Sequence, residues 1–193
     1  TVSAEIMNSC IAQCGIKHVL TSRKVMEKLN LDLDVEVVYL DDLREKVIDV
    51  WEDAITTGGW QPKDLLDIPF TLLAGDIDMR FIEHVRSCAQ MCIAIEKVLN
   101  GIWGDRMPVH RDHLIAGSLL ADVGKPIEFV KKDGKIVKGH RGDMLRHPFS
   151  GVGMCWKHGL PDEVMHMVAT HSKEGDHVQR TIESIIFHHA DFI

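Results

Sequence analysis

Apolar side chains recur at intervals of three and four residues along most of the chain, which is the spacing of one face of an α-helix. The pattern predicts helices at about residues 1–29, 40–56, 77–99, 111–123, 148–158, 162–171 and 181–193. The third helix is expected to turn inward Phe81, Val85, Cys88, Cys92, Ile95 and Leu99. Helices therefore account for most of the chain, and the predicted fold class is all-α.

Turn residues interrupt this helical pattern. Gly58 and Gly59 are expected to end the second helix, and Gly124 is expected to end the fourth in a left-handed conformation. Asp133 and Gly134 separate two short β-prone segments, which is typical of a tight hairpin turn. The predicted architecture is a helical bundle with one small β-hairpin at about 127–138. Residues 1–75 would form a helical extension packed on a core domain of residues 76–193.

The composition is that of an ordinary globular protein, with 45% hydrophobic and 26% charged residues among 193. A net charge of −7 argues against general nucleic-acid binding. No apolar run reaches the roughly 18 to 20 residues that span a bilayer, and the first residues lack the pattern of a secretion signal. We therefore expect a cytoplasmic protein with no membrane segment.

Five cysteines are present, and two pairs of them are spaced four residues apart in helical segments. This spacing puts each pair on one helix face rather than in a disulfide framework. We expect reduced thiols that pack as small apolar side chains, in preference to a cysteine-based zinc site.

Histidine is abundant, with twelve residues, and all but one of them follow residue 80. Several imidazole and carboxylate side chains fall on apolar helix faces or at a helix start, namely His84, Asp122, His147, His171 and Asp191. A buried carboxylate without a partner costs several kcal/mol. Convergence on a shared cation satisfies the whole set, and this donor chemistry suits one or two ions of Mn, Fe, Ni, Co or Zn better than Ca.

Each of these residues also has a simpler interpretation when it is taken alone. An inward histidine is commonly a hydrogen-bonded core residue, and an inward aspartate can cap a neighbouring helix. The metal hypothesis therefore depends on the full set and on its order along the chain.

The order and the local sequences resemble the HD-domain superfamily of metal-dependent phosphohydrolases, over about residues 84–193. His84 in FIEHVRSCAQ resembles the first metal ligand, and Asp122 in LLADVGK resembles the acid of the family signature. His147 in MLRHPFSG and His171 in ATHSKEG resemble the two histidines of the two-metal branch. Asp191 in FHHADFI resembles the last ligand. The resemblance implies a hydrolase that acts on nucleotides or dinucleoside polyphosphates.

The chain departs from the family pattern at Ala121, where the family has the histidine of its His-Asp pair. A methyl group cannot bind a metal, so the first site would keep only His84, Asp122 and Asp191. Asp122 would also bridge to a second site, completed by His147 and His171.

Three explanations of Ala121 are open. The residue can be a substitution that disables the enzyme, or the chain can hold one metal, or two with an extra water. Alternatively, another side chain fills the gap. His188, on the helix face of Asp191, is the best surrogate, whereas His110 and His113 are weaker ones on the helix of Asp122.

A basic segment follows Asp122. Residues 125–147 contain seven basic and three acidic residues, a net charge of +4, which leaves −11 for the rest of the chain. This segment is expected to attract a small anionic phosphorylated molecule. Lys125, Arg141 and Arg146 are the predicted substrate contacts, whereas the lysines of the hairpin itself are as well explained by solubility.

The predicted chemistry is hydrolysis by metal-activated water, with Asp122, Lys125 and His140 as the catalytic residues and His140 as a proton donor. Gly139 and Gly142 suggest a loop that moves over the site. The alternatives are a regulatory nucleotide-binding module that lost catalysis with Ala121, or a di-iron oxygenase. Residues 1–75 suggest no chemistry, and they would extend the bundle or form a homodimer contact.

Overall fold

The computed structural model describes residues 3–39, 42–72 and 79–192. The chain divides into two compact units, Thr1–Glu45 and Lys46–Ile193. The domain boundary predicted between residues 75 and 76 falls outside the described residues and stays a prediction. The predicted start of the third helix, at residues 77 and 78, lies outside them as well.

The first unit contains a parallel pair of strands. Its elements are α1 (Ala4–Cys14), β1 (His18–Thr21), α2 (Arg23–Leu29) and β2 (Glu36–Tyr39). β1 pairs with β2 in parallel, with His18 opposite Glu36. α2 lies in the connection between them, because two parallel strands cannot be joined by a tight turn.

The continuous helix expected over residues 1–29 is therefore wrong between α1 and α2. Gly15 adopts a left-handed conformation with φ 63° and ends α1, and the Ser22 side chain caps α2 by accepting from the Val25 N–H. The apolar residues of β1 are too few for their spacing to distinguish a strand from a helix.

The second unit is built mainly from helices. They are α3 (Asp42–Gly58, which begins in the first unit), α4 (Phe81–Trp103), α5 (Arg111–Leu120), α6 (Lys125–Glu128), α7 (His140–Met144), α8 (His147–Lys157), α9 (Asp162–Thr170) and α10 (Ile182–Asp191). Short 3-10 turns occur at Pro62–Leu66, Gly104–Arg106 and Lys173–Gly175. Among the helices of the described ranges, none combines the length and apolar character needed to cross a bilayer. The predicted all-α class is confirmed.

The predicted hairpin is present as β3 (Phe129–Lys132) and β4 (Lys135–Lys138), which pair antiparallel. Asp133 and Gly134 form its turn, with φ of 51° and 75°. These positive values are those of the tight turns that match strand twist.

Gly124 does not have the left-handed conformation that we expected. Its φ is −76°, and α5 already ends at Leu120. A side chain is excluded here by close packing instead, since a Cβ on Gly124 would lie 2.2 Å from the His147 carbonyl oxygen. This contact brings the start of α8 against the segment that carries Asp122.

One face of α4 joins two apolar clusters of the second unit. Phe81 and Val85 belong to a cluster that includes Trp60, whereas Cys88 and Cys92 belong to one that also contains Leu114, Ala121, Met167, Ile186, Phe187 and Ala190. The helical repeat places His84 on the same buried face, between the two clusters. All five cysteines are free, as expected.

Candidate metal centre

The structure brings together the five side chains predicted as metal ligands. Two of them lie within helices, on α4 and at the last residue of α10. The other three lie in the turn after α5, at the first residue of α8 and at the residue that follows α9. All five line one cavity of about 490 Å³: His84, Asp122, His147, His171 and Asp191. Asp191 is partly exposed and the other four are buried.

The first donor group consists of His84, Cys88 and Asp191. His84 Nε2 lies 2.9 Å from Asp191 Oδ1 and 3.6 Å from Cys88 Sγ. One donor atom from each residue lies within 4.8 Å of the other two. These buried groups could hold a metal ion.

The second donor group consists of Asp122, His147 and His171, all buried. Asp122 Oδ1 lies 3.3 Å from His147 Nε2 and 3.6 Å from His171 Nε2. The two Nε2 atoms are 3.3 Å apart. Asp122 also links the groups, because its Oδ2 lies 3.5 Å from His84 Nε2.

Hydrogen bonds determine which ring nitrogens of the second group carry a proton. His147 Nδ1 lies 2.7 Å from Glu128 Oε2, and His171 Nδ1 lies 2.8 Å from the Val168 carbonyl oxygen. Carboxylates and carbonyls only accept, so each Nδ1–H must donate. In the neutral rings both Nε2 atoms then carry lone pairs that face Asp122.

Burial favours the neutral state of His147. Desolvation lowers the pKa of His147, although Glu128 and Asp122 act in the opposite direction. Burial by itself would raise the pKa of Asp122, but the charge of the Lys125 ammonium holds it well below its usual range. Two imidazole nitrogens and an anionic oxygen therefore converge in a buried site, which is the donor set that fits a divalent transition metal.

Glu128 supports the site and was not singled out in the sequence. Its Oε2 accepts hydrogen bonds from both the backbone N–H (3.0 Å) and the Nδ1–H (2.7 Å) of His147. Burial by itself would raise the pKa of Glu128, but these hydrogen bonds outweigh it. The pKa therefore lies below its usual value, and the carboxylate is ionised. A carboxylate that orients a ligating histidine is common in metal sites. The sequence offered one weak signal, an acidic residue directly before the apolar Phe129.

Lys125 contacts the centre directly. Its Nζ donates to Asp122 Oδ2 at 2.8 Å and to the Phe70 carbonyl at 2.9 Å. Two further cations line the cavity, Arg146 and Lys138, and each has an acidic neighbour. Arg146 pairs with Glu174 at 3.2 Å, and Lys138 pairs with Asp143 at 3.3 Å.

His140 and Arg141 are exposed at the start of α7 and are not among the described residues that line this cavity. Arg141 instead lines a separate cavity of about 320 Å³.

The mobile loop expected around Gly139 and Gly142 is wrong, because this segment is helix α7 and both glycines are buried. A Cβ on Gly142 would lie 2.5 Å from Glu128 Cγ, so this glycine allows close packing.

The structure does not add the proposed surrogate histidines to the donor set. His188 Nδ1 donates to the His171 carbonyl at 2.7 Å, and His188 lies outside the described lining of the cavity. His110 and His113 stack on each other at 3.7 Å near the start of α5. At about 1.5 Å of rise per residue, this is the far end of the helix from Asp122.

A comparison with curated proteins supplies one relative. Over 113 residues the chain is 34% identical to a dihydroneopterin 2′,3′-cyclic phosphate phosphodiesterase of Methanocaldococcus jannaschii. The alignment covers 57% of this chain and 44% of that protein, so the chain spans less than half of its relative's length. No protein-family model matches the chain, and no solved structure matches it significantly. Membership of the HD-domain superfamily stays a prediction.

Proposed function

We propose that the chain is a metal-dependent phosphohydrolase of the HD-domain type, which cleaves a phosphate ester of a small molecule with a metal-activated water. The observation that carries this proposal is the convergence of Asp122 Oδ1, His147 Nε2 and His171 Nε2 in a buried site, at 3.3–3.6 Å from one another. Two imidazole nitrogens and a carboxylate oxygen at this spacing are a donor set that divalent transition metals bind. The name of the curated relative supports phosphodiester chemistry.

The donor set fits Mn, Fe, Co, Ni or Zn, since it combines imidazole with carboxylate. When bound, such an ion supplies a water acidic enough to become hydroxide near neutral pH, and a positive charge beside the phosphoryl oxygens. Glu128 fixes the ring orientation of His147, and Lys125 fixes Asp122. The ligands are thereby held in place before substrate arrives.

The substrate class follows from the cavity lining. Its volume of about 490 Å³ is in the range of small-molecule sites. Arg146 and Lys138 provide positive charge for a phosphate, and Phe70, Leu72 and Phe129 provide apolar surface for a ring. A nucleotide combines these features, as does a pterin cyclic phosphate, so we propose a small heteroaromatic phosphate ester as substrate.

A regulatory module that binds the same anion without turnover is the second candidate. Ala121, in place of a histidine ligand of the family pattern, is the observation that favours it. Such a module would bind a nucleotide in a calorimetric titration and release no product.

The test is hydrolysis of a generic diester, bis(p-nitrophenyl) phosphate, and of 2′,3′-cyclic nucleotides. The protein is first stripped of metal with a chelator and then loaded with each candidate ion. We expect turnover with at least one ion, and its loss in the His147→Ala variant together with bound metal. His177→Ala, at an exposed histidine, is the matched control and should leave both unchanged. Fully loaded protein that cleaves none of these esters would contradict the proposal.

A further inference from the structure

A thiol lies inside the first donor group, at a position that the resemblance does not predict. Cys88 is buried on α4, one turn after His84. Its Sγ lies 3.6 Å from His84 Nε2 and 3.7 Å from His84 Nδ1. The same Sγ lies 3.8 Å from the Ala190 carbonyl, next to Asp191.

We propose that Cys88 is a thiolate ligand of the first metal and takes the role of the histidine that is missing at residue 121. This inference rests on the proposed function, because it assumes that the cavity binds metal. It departs from our expectation that the cysteines only pack as apolar side chains.

Packing around Ala121 supports the exchange. Ala121 is fully buried and belongs to the same apolar cluster as Cys88, Phe187 and Ala190. The methyl group leaves the donor set one member short, and Cys88 belongs both to that cluster and to the donor group of His84 and Asp191.

The distances suit a tetrahedral ion. Donors bound at about 2.0–2.3 Å to such an ion lie roughly 3.3–3.7 Å from one another. His84 Nε2 lies 2.9 Å from Asp191 Oδ1, 3.5 Å from Asp122 Oδ2 and 3.6 Å from Cys88 Sγ. The last two distances fall in this range, and a small movement of the Asp191 carboxylate away from His84 would bring the first into it.

The two sites would then differ in character. The first would have the donors His84, Cys88 and Asp191, with Asp122 as the bridge, and its thiolate favours Zn, Fe or Co. The second would have the three donors Asp122, His147 and His171, which leaves room for water or substrate, as in catalytic sites. The thiolate therefore gives the first site a selectivity that the second lacks.

Cobalt spectroscopy tests the proposal on the whole protein. A thiolate bound to Co(II) gives an intense near-ultraviolet charge-transfer absorption, whereas nitrogen and oxygen ligands do not. The variants are Cys88→Ser and the matched Cys92→Ser. Cys92 is buried one turn further along α4, and burial raises the pKa of both thiols to about 12. Cys92 belongs to neither described donor group.

We expect the absorption in the wild type and in Cys92→Ser, and its loss in Cys88→Ser together with one of the bound ions. X-ray absorption of the loaded wild type should show a sulfur neighbour at about 2.3 Å, which needs no variant to fold. Absorption that survives in Cys88→Ser, or bound cobalt without sulfur, would overturn the proposal. Diester hydrolysis with no sulfur signal would overturn it and leave the proposed function intact. Absence of both metal binding and hydrolysis would overturn the two together.

Discussion

The two donor groups of the centre are held in different ways. In the second group, His147 and His171 each donate through Nδ1 to a fixed acceptor, Glu128 or the Val168 carbonyl, so both Nε2 lone pairs are directed at Asp122. In the first group, His84 Nε2 lies at hydrogen-bond distance from Asp191. The first group thus has a hydrogen bond between two of its own donors. In the second group the Asp122 carboxylate is paired with the Lys125 ammonium, and the two rings are oriented by acceptors outside the group.

This difference predicts that the two groups differ in metal affinity and in its dependence on pH. The second group is organised in advance, because acceptors outside the group already hold both of its rings through Nδ1. In the first group the hydrogen bond between His84 Nε2 and Asp191 must break and, if Cys88 is a ligand, the thiol proton must leave. Metal binding is therefore expected to be tighter and less sensitive to pH at the second group.

The largest predicted effect comes from removing the residue that the groups share. Asp122→Asn keeps the size of the side chain but removes its negative charge, so we expect loss of both ions and a fall of hydrolysis to the level of the metal-free protein. Elemental analysis and the diester assay measure this. Asp105→Asn, at an exposed carboxylate away from the cavity lining, is the control. If Asp122→Asn keeps full metal content, the bridging role is wrong.

A smaller effect is expected when only the support of the second group is removed. Glu128→Gln replaces the carboxylate that holds His147, and we predict a loss of about 10- to 100-fold in metal affinity or activity. The first site should keep its cobalt absorption, which separates the two groups. Glu163→Gln, at an exposed site on α9, should have no effect. An unchanged affinity in Glu128→Gln would show that this hydrogen bond does not matter for the centre.

The first group should show the stronger dependence on pH. Burial and the nearby carboxylates raise the pKa of Cys88 to about 12, so the thiol carries its proton at neutral pH and must release it to bind. Metal affinity at this site should therefore fall as pH decreases, by up to about tenfold per unit for each proton released. Calorimetry in buffers of different ionisation enthalpy counts the protons. Cys88→Ser should release one fewer, and an equal count would argue against the thiolate.

The smallest effect concerns a carboxylate that has its own cationic partners. Asp53 lies 2.7 Å from Lys157 Nζ and 2.9 Å from His158 Nε2, and the hydrogen bond from Lys157, followed by that from His158, lowers its pKa from 3.8 to about 2. The stabilisation of the folded state by the ionised Asp53 is fully present above pH 3.8 and is lost as the pH falls through about 2. Because solvent partly screens the pair, Asp53→Asn should cost about 1 kcal/mol in the free energy of unfolding.

Denaturant unfolding at pH 7 and pH 3 measures this cost. The loss of unfolding free energy in Asp53→Asn should be smaller at pH 3 than at pH 7. Metal content should stay unchanged in Asp53→Asn, in contrast to Asp122→Asn. A loss of bound metal in Asp53→Asn would mean that general destabilisation, rather than ligation, explains the carboxylate variants.

The sequence predicted site residues best where the apolar residues of a single helix define its buried face. His84 could be assigned to the inner face of α4 because Phe81, Val85 and Cys88 repeat around it at helical spacing. Glu128 could not be recognised in the same way, since its role depends on contact with His147, 19 residues later in the chain. Packing of α6 against α8 creates that role, and the spacing of apolar residues within either helix does not predict it.

Two local predictions failed for physical reasons. The apolar residues of β1 fit a helical interval, but pairing with β2 decides their conformation. Gly139 and Gly142 suggested a mobile loop, yet both are buried and pack closely, Gly142 on Glu128 and Gly139 on the Val130 side chain. Glycine in sequence does not distinguish flexibility from close contact.

The most direct test of the account is the metal content of the wild-type protein and of Asp122→Asn after exhaustive dialysis against metal-free buffer. The account predicts that the wild type retains at least one transition-metal ion per chain and that the variant retains none. Equal metal content in the two proteins, or hydrolysis by wild type that contains no metal, would contradict the claim that the buried aspartate and histidines form a metal centre.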